Sequence, residues 1–208
     1  MIDFDLSGQT AIVTGTSGNL GPIWAETLRD LGVRVYGFGL PVYDIRSMQQ
    51  AEKFVNEMYY GPDILINNAG IDNPPDTDAK IFKNWDEILD VNLTGVKNMI
   101  KAVLPGMIDR SQGHIINIGS MYGLVSPDQS LYPDDFEKPV AYGVSKAGLL
   151  HLTKLIATQF GNNGIRCNCL TLGPVYSPAH SPEFREKMIA RIPLGRMANK
   201  QDLKQALR

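Results

Sequence analysis

The sequence predicts an α/β protein with one parallel sheet between two layers of helices. Strand-like runs lie at residues 10–14, 33–38, 64–67, 114–118 and 165–170. They alternate with segments of helical periodicity, and this alternation is typical of a parallel sheet covered by helices on both faces. The chain has 208 residues, of which 43% are hydrophobic, so it can bury one core but is too short for two full domains. We expect a single domain over residues 1–208.

The helices and one long loop follow from the same periodicity. Predicted helices cover residues 22–31, 47–59, 84–109, 140–160, 182–191 and 200–207. Residues 124–139 differ, because three prolines and several acidic residues cannot continue a helix or a central strand. We expect an inserted surface loop there. Ligands of such folds bind beyond the carboxyl ends of the strands, so this loop either shapes a substrate site or is a tolerated insertion.

Charge and composition favour a small-molecule partner. The formal net charge is −2 and the basic residues are scattered, which gives no surface for nucleic acid or for an anionic membrane. No stretch approaches the roughly 20 apolar residues of a membrane helix, and the N-terminus does not resemble a signal peptide, so a cytoplasmic protein is expected. Cys167 and Cys169 lie two apart in a strand-like run. They are expected to be reduced core residues on one face, and no metal site is expected.

A glycine-rich turn directly follows the first strand. It reads Thr14-Gly15-Thr16-Ser17-Gly18-Asn19-Leu20-Gly21 and leads into a predicted helix. Gly15 permits a tight turn, Gly18 lets backbone N–H groups approach a pyrophosphate, and Gly21 allows close packing of the helix. The helix N-terminus adds a partial positive charge. The position of this turn predicts a dinucleotide-binding, Rossmann-type fold.

Tyr142 and Lys146 are four residues apart in a predicted helix, so both side chains lie on one face. For a tyrosine to act as a base at neutral pH, its pKa must fall from about 10 to about 7, which takes about 4 kcal/mol. An ammonium at about 4 Å supplies about that much at an effective dielectric constant of about 20. The spacing alone is equally typical of an amphipathic helix with a snorkelling lysine.

Further motifs decide between these interpretations. They are Asp44-Ile45, Asn67-Asn68-Ala69-Gly70, Asn92 in VNLTG, Ser120 in IINIGS and Gly173-Pro174-Val175. Together with the glycine turn and the Tyr142/Lys146 pair, they make nearly the whole chain similar to the short-chain dehydrogenase/reductase family. Within that family, the chain resembles bacterial members labelled 3-oxoacyl-carrier-protein reductase and oxidoreductases of surface-sugar or flagellin modification.

The resemblance implies a Rossmann-type doubly wound sheet and hydride transfer between NAD or NADP and a carbonyl or secondary alcohol. It implies that Tyr142 exchanges a proton with the substrate oxygen, while Lys146 lowers the pKa of Tyr142 and holds the nicotinamide ribose. Ser120 would hydrogen-bond the same oxygen, and Asn92 would position a water in the proton relay. The implied cofactor contacts also include Gly15, Ser17, Gly18, Asn19, Leu20 and Gly21 at the phosphates, Asp44 and Ile45 at the adenine, Asn68, Ala69 and Gly70 along the cofactor, and Gly173, Pro174, Val175 and Ser177 near the carboxamide.

The chain departs from the family pattern in three places. Asn19 stands where relatives usually have glycine, and asparagine tolerates positive φ better than most residues. The family's cofactor-selecting position falls at Gly39, just after the strand that ends at Phe38 and shortly before Asp44, and it offers no charged side chain. We therefore expect a pocket that is open around the adenosine ribose, with no readable preference between NAD and NADP. Relatives continue into one more strand beyond residue 208, so the C-terminal edge strand is expected to be missing.

The sequence also gives general expectations for the oligomeric state and the substrate class. Relatives pair the helices that correspond to residues 84–109 and 140–160, so we expect a homo-oligomer, at least a dimer and in the family's usual form a tetramer. Asp72, Asn73, Tyr122 and Tyr176 flank the matched motifs. With the polar loop at residues 124–139, they favour a hydroxylated substrate such as a sugar derivative.

Two other functions stay open at this point. Two segments, 143–147 and 15–19, each come one residue short of the G-x-S-x-G motif of serine hydrolases, but the three histidines show no triad spacing. The other alternative is a shortened relative that binds a dinucleotide or a protein partner without turnover. The presence of all four catalytic residue types favours an enzyme.

Overall fold

A computed structural model of the chain describes residues 5–72, 82, 84–133 and 136–208. Within them the strands are β1 (Thr10–Thr14), β2 (Arg34–Phe38), β3 (Ile64–Asn67), β4 (Gly113–Ser120) and β5 (Ile165–Leu172). They form one parallel sheet in the order β2-β1-β3-β4-β5. The predicted α/β fold is confirmed, with β2 and β5 at the two edges of the described sheet.

Helices cover both faces of this sheet. They are α1 (Gly21–Asp30), α2 (Met48–Asn56), α3 (Trp85–Leu89), α4 (Val96–Asp109), α5 (Val140–Phe160), α6 (Pro182–Ile189) and α7 (Lys200–Leu207). One core contains buried residues of α2, α4 and α5, and the second core contains buried residues of α1 and α7. The sheet therefore lies between two helical layers.

Strand β1 shows why the strands read as continuous hydrophobic runs. Ile12 belongs to the first core, whereas Ala11 and Val13 belong to the second, where they lie in one cluster with Trp24. Successive side chains of a strand point to opposite faces, so a parallel strand covered on both faces has no polar alternation. Cys167 is buried in the first core, as predicted, and Cys169 is half-buried.

The predicted helix at residues 84–109 is interrupted. Between α3 and α4 the chain forms a π-helical turn, Asp90–Gly95. A Cβ at Gly95 would lie 2.8 Å from Cγ2 of Ile45, so the missing side chain lets this turn pack against the segment after β2. Such π-helical turns often occur at functional sites, and this one carries Asn92.

Candidate active site

A cavity of about 1270 Å³ opens at the carboxyl ends of the strands. This is where ligands bind in open parallel sheets. The predicted site residues in its wall are Gly15, Ser17, Gly18, Asn19, Leu20, Asp44, Ile45, Asn68, Ala69, Gly70, Ser120, Tyr142, Lys146, Gly173, Pro174 and Val175. Three predicted site residues, Gly21, Asn92 and Ser177, lie outside the wall.

The glycine turn is packed tightly against the end of β3. Gly15 has a φ of 68°, and a Cβ there would lie 2.8 Å from the Cα of Ala69. A Cβ at Gly21 would lie only 2.2 Å from the carbonyl oxygen of Gly15, which explains a glycine that does not itself line the cavity. Asn19 does not adopt a positive φ, so its tolerance of that conformation is not used. The N–H of Gly18 donates to Gly15 O at 3.1 Å and closes the turn.

The start of α1 lies beside this turn. Its N-cap residue, Leu20, makes no side-chain capping bond, and Pro22 lies in the first turn. Pro22 has no N–H, and the N–H groups of Ile23 and Trp24 donate to Leu20 O at 3.0 and 3.3 Å, so the helix start acts mainly through the partial positive charge of its dipole. This end of the cavity is therefore suited to an anion such as a pyrophosphate.

Asn68 braces the turn rather than pointing at a ligand. Its side-chain oxygen accepts from Trp24 Nε1 at 2.8 Å, and its Nδ2 donates to Thr14 O at 3.0 Å. Thr14 Oγ1 accepts from the N–H groups of Asn68 and Ala69, both at 2.9 Å. These bonds fix the backbone of Ala69 and Gly70 along the cavity wall.

The segment after β2 forms more of a wall than the sequence predicts. Leu40, Asp44 and Arg46 all line the cavity, and Ser17 Oγ donates to Leu40 O at 3.1 Å. Arg46 binds both oxygens of Asp44 at 2.7 to 3.0 Å, and this guanidinium lowers the pKa of the Asp44 carboxyl. The sequence predicts a pocket that is open around the adenosine ribose, and the structure adds to the cavity wall a short segment with a paired arginine.

The predicted catalytic residues of the cavity wall are Ser120, Tyr142 and Lys146. Lys146 Nζ lies 5.7 Å from the centre of the Tyr142 ring and donates to Ile118 O at 2.8 Å. Burial lowers the pKa of Lys146 to about 8. Burial also raises the pKa of Tyr142 to about 12, although hydrogen bonding with Ser120 acts in the opposite direction. The lowering of the tyrosine pKa by Lys146 is therefore not reproduced in this structure.

Two other predicted residues support the site from outside its wall. Asn92 Nδ2 donates to Ile71 O at 2.7 Å and to Ser145 Oγ at 3.1 Å, and its Oδ1 accepts from Ile71 N at 2.8 Å. The side chain of Asn92 thereby ties the loop after β3 to α5. Ser177 Oγ accepts from Ala179 N at 3.3 Å and is not brought to the cavity.

The segment inserted before α5 contributes side chains to the cavity. Tyr132, Phe136 and Lys138 of this segment line it, and so does Tyr122, which lies just before the segment. Tyr122 and Tyr132 are joined by a hydrogen bond of 2.7 Å between their hydroxyl oxygens. The described part of residues 124–139 has only a short 3₁₀ turn, Gln129–Leu131, as regular structure. Residues 134–135 and the predicted flanking residue Asn73 lie outside the described part of the chain.

A family model described as short chain dehydrogenase matches residues 4–188. The chain belongs to the short-chain dehydrogenase family. It is 28% identical over 227 aligned residues to the 3-oxoacyl-(acyl-carrier-protein) reductase FabG of Vibrio cholerae, with 98% of this chain and 89% of that protein covered. It is 31% identical over 206 residues to the FabG of Aquifex aeolicus, with 95% and 77% covered.

Solved structures give the same assignment. A short chain dehydrogenase from Leptospira borgpetersenii with bound NAD+ has a TM-score of 0.88 and 26% identity, covering 100% of this chain and 87% of that one. A gluconate 5-dehydrogenase from Burkholderia cenocepacia, in complex with NADP and tartrate, has a TM-score of 0.82 and 26% identity, with 99% and 88% covered. The prediction of a nicotinamide-dependent oxidoreductase is confirmed at the level of this enzyme class.

The site of this short-chain dehydrogenase contains residues that the sequence reasoning missed. They are Arg46, Glu87, Tyr132, Phe136, Lys138, His180, Phe184 and Met188. None of these residues belongs to a sequence motif. They come from separate parts of the sequence and meet in one cavity wall only in the folded protein. Tyr132, Phe136 and Lys138 had one usable signal, since they lie in the segment predicted to overhang the site.

The structure also bears on the hydrolase alternative. Ser145 is fully buried, donates to Tyr142 O at 2.7 Å and accepts from Asn92. Its hydroxyl is thus committed to the start of α5. The described residues contain no group of three His, Cys, Asp or Glu side chains that could hold a metal ion. They also include no helix that is both long and apolar enough to cross a membrane.

Proposed function

We propose that this chain transfers a hydride between NAD or NADP and a carbonyl or secondary alcohol, with Tyr142 exchanging the proton at the substrate oxygen. One observation carries the proposal: Ser120, Tyr142 and Lys146 line the same cavity as the glycine turn. An acid/base group and a dinucleotide cradle within one enclosure fit a reaction that needs both.

The residues present fit a dinucleotide. A Cβ at Gly15 or at Gly21 would meet backbone atoms at 2.8 Å and 2.2 Å, so the turn beside the cavity can pack this closely only with glycine at both positions. The uncapped start of α1 suits the pyrophosphate. Lys146 uses one ammonium donor on Ile118 O, which leaves two donors for ribose hydroxyl groups. When bound, the nicotinamide ring supplies or accepts the hydride.

The protein's part of the chemistry is proton transfer at the substrate oxygen. With a pKa near 12, Tyr142 is protonated at neutral pH and can donate to an oxygen that gains negative charge. Ser120 can hydrogen-bond the same oxygen, because it lies at the end of β4 and interacts with Tyr142. The protonated form of Tyr142 is the form that carbonyl reduction requires.

The decisive test is Tyr142→Phe, assayed by NADH and NADPH oxidation over a panel of ketones and aldehydes. General acid catalysis contributes about a hundredfold or more, so we expect turnover to fall at least that far. Dinucleotide affinity should stay within a few-fold, since only the phenolic oxygen is removed. Residual turnover above about a tenth of wild type contradicts the assignment. Binding of a dinucleotide by wild type with no turnover of any carbonyl favours the alternative of a non-catalytic relative.

A homo-oligomer is the assembly that we propose. Val144 and Leu155 are 44% and 52% exposed on α5, one of the two long helices that the family pairs. Exposed apolar side chains on a long helix favour a two-fold contact. Light scattering at micromolar concentration should give at least the mass of a dimer, and a monomer contradicts the proposal. The cytoplasmic location stays a prediction.

A further inference from the structure

An ion pair beside Tyr142 has no part in the proton transfer described above. It joins Asp72, three residues after Ala69, to Lys138, the penultimate residue before α5. The side chain of Lys138 is only 8% exposed, and both residues line the cavity. Two segments that are 66 positions apart in sequence therefore meet here.

The ammonium of Lys138 is held among tyrosine rings. Its Nζ lies 5.0 Å from the ring centre of Tyr142, 5.5 Å from that of Tyr122 and 5.7 Å from that of Tyr132. A cation within about 6 Å of an aromatic ring centre is attracted to the ring. Lys138 is thereby fixed beside the ring of the tyrosine that the proposed function places at the reacting oxygen.

The pair leaves hydrogen-bonding capacity unused. Among the residues that the structure describes, the buried Oδ1 of Asp72 has no hydrogen-bond partner, and neither has Nδ1 of His180, which also lines the cavity. Rotation of a carboxylate about its Cβ–Cγ bond is easy, so Asp72 can turn an oxygen toward the cavity. The Lys138 ammonium has three donors, of which Asp72 takes one. A ligand group that donates to Asp72 and accepts from Lys138 removes the cost of an unpaired buried acceptor.

The opposite charges of the pair select the kind of group. An anion would lie beside the Asp72 carboxylate, and a cation would lie beside the Lys138 ammonium, so each meets repulsion as well as attraction. A hydroxyl group both donates and accepts, and it therefore satisfies both partners.

The rest of this end of the cavity is aromatic. Tyr132 stacks on Phe136 at 5.2 Å and contacts Phe184 at 5.3 Å, while His180 lies 5.1 Å from Phe184. Flat apolar walls with a few convergent polar groups suit a ligand that has C–H faces and hydroxyl edges.

We propose that Asp72 and Lys138 form a hydroxyl-binding subsite beside Tyr142, and that the substrate is a polyhydroxylated ketone or alcohol with a hydroxyl group near the reacting carbon. This inference rests on the proposed function, because it places the reacting oxygen at Tyr142. Sites built to hydrogen-bond a substrate hydroxyl reject analogues that lack it far more strongly than apolar pockets discriminate by size.

The test uses three cyclic ketones with the same six-membered ring: cyclohexanone, 2-hydroxycyclohexanone and 2-keto-myo-inositol. Each is assayed with NADH and NADPH on wild type, on Asp72→Asn and on Glu52→Gln, an exposed carboxylate of α2 away from the cavity. We expect kcat/KM to rise by about a hundredfold from the first ketone to the third in wild type and in Glu52→Gln. In Asp72→Asn that ratio should fall by at least about tenfold.

A ratio near one in wild type overturns the inference, and so does an Asp72→Asn variant that slows all three ketones equally. Circular dichroism and the thermal midpoint check the fold, and the double variant Asp72→Asn/Lys138→Gln avoids an unpaired ammonium. If wild type turns over no ketone, the proposed function fails. The subsite is then tested separately by calorimetry, in which alcohols are titrated into the protein with its dinucleotide bound. The subsite is supported if wild type binds myo-inositol but not cyclohexanol, and if Asp72→Asn binds myo-inositol at least tenfold more weakly. It is overturned if wild type binds neither compound, or if the two proteins bind myo-inositol equally.

Discussion

The two ends of the cavity are built from different materials. At the cofactor end the wall is backbone, drawn together by the missing side chains of Gly15 and Gly21 and by the start of α1. At the substrate end the wall is side chains, contributed by the loop after β3, by the inserted segment and by α6. The first end therefore has no room for an added Cβ at Gly15 or Gly21, whereas the second can change one side chain at a time without moving the backbone.

The largest expected effect comes from Lys146, which lies where these two ends meet. Burial lowers its pKa from 10.5 to about 8, so between those pH values the unfolded chain binds more protons than the folded chain. The contribution of Lys146 to stability must then rise with pH in this window, and at neutral pH the buried ammonium costs about 3 kcal/mol. Below pH 8, Lys146→Met should avoid this cost and gain about that much free energy of unfolding over wild type. The gain should disappear between pH 8 and 10.5. Turnover of the variant should be lost at every pH.

Urea unfolding of wild type and Lys146→Met across pH 7 to 11 measures this difference. A difference that does not change with pH contradicts the buried, charged lysine. Unchanged dinucleotide affinity in the variant contradicts the ribose contact that the proposed function assigns to Lys146.

Gly21→Ala should break the cofactor end alone. The new Cβ would lie 2.2 Å from Gly15 O, which forces the turn or the helix to move. Overpacking of this kind costs about 1 to 3 kcal/mol, equivalent to roughly ten- to a hundredfold in dinucleotide affinity if the turn yields. Gly161→Ala is the matched control, because nothing lies within 4 Å of its added Cβ. Isothermal calorimetry with NADH and NADPH should separate the two variants, and equal affinities would show that the turn is not part of the site.

The smallest expected effect concerns the choice between NAD and NADP. Arg46 is the basic side chain of the segment after β2 that lines the cavity, and it is already held by three hydrogen bonds to Asp44. A paired guanidinium offers little net charge to a 2′-phosphate, so we expect the two dissociation constants to differ by less than about a hundredfold. Arg46→Gln should change that ratio by no more than about tenfold. A stronger preference in wild type would mean that Arg46 leaves Asp44 when the cofactor binds.

The same contrast explains what the sequence could predict. The cofactor end was readable because glycine, a strand end and a helix start impose fixed spacings along the chain, and 13 of the 15 predicted cofactor residues other than Tyr142 and Lys146 line the cavity. Lys138 and Asp72 were not readable as a pair, because no local pattern brings residues 66 apart into contact. The π-helical turn was missed for a similar reason, since it depends on the packing of Gly95 against Ile45.

Both ends of the inserted segment, residues 124–139, are held against the same helix, α5. At one end, a Cβ at Gly123 would lie 2.7 Å from the backbone of Lys146, and at the other, Pro139 directly precedes the first turn of α5. Both ends are therefore fixed relative to Tyr142 and Ser120, whatever lies between them. The length and side chains of such a segment can therefore change to accept a different substrate. Tyr142 meanwhile keeps its position relative to the glycine turn that holds the cofactor.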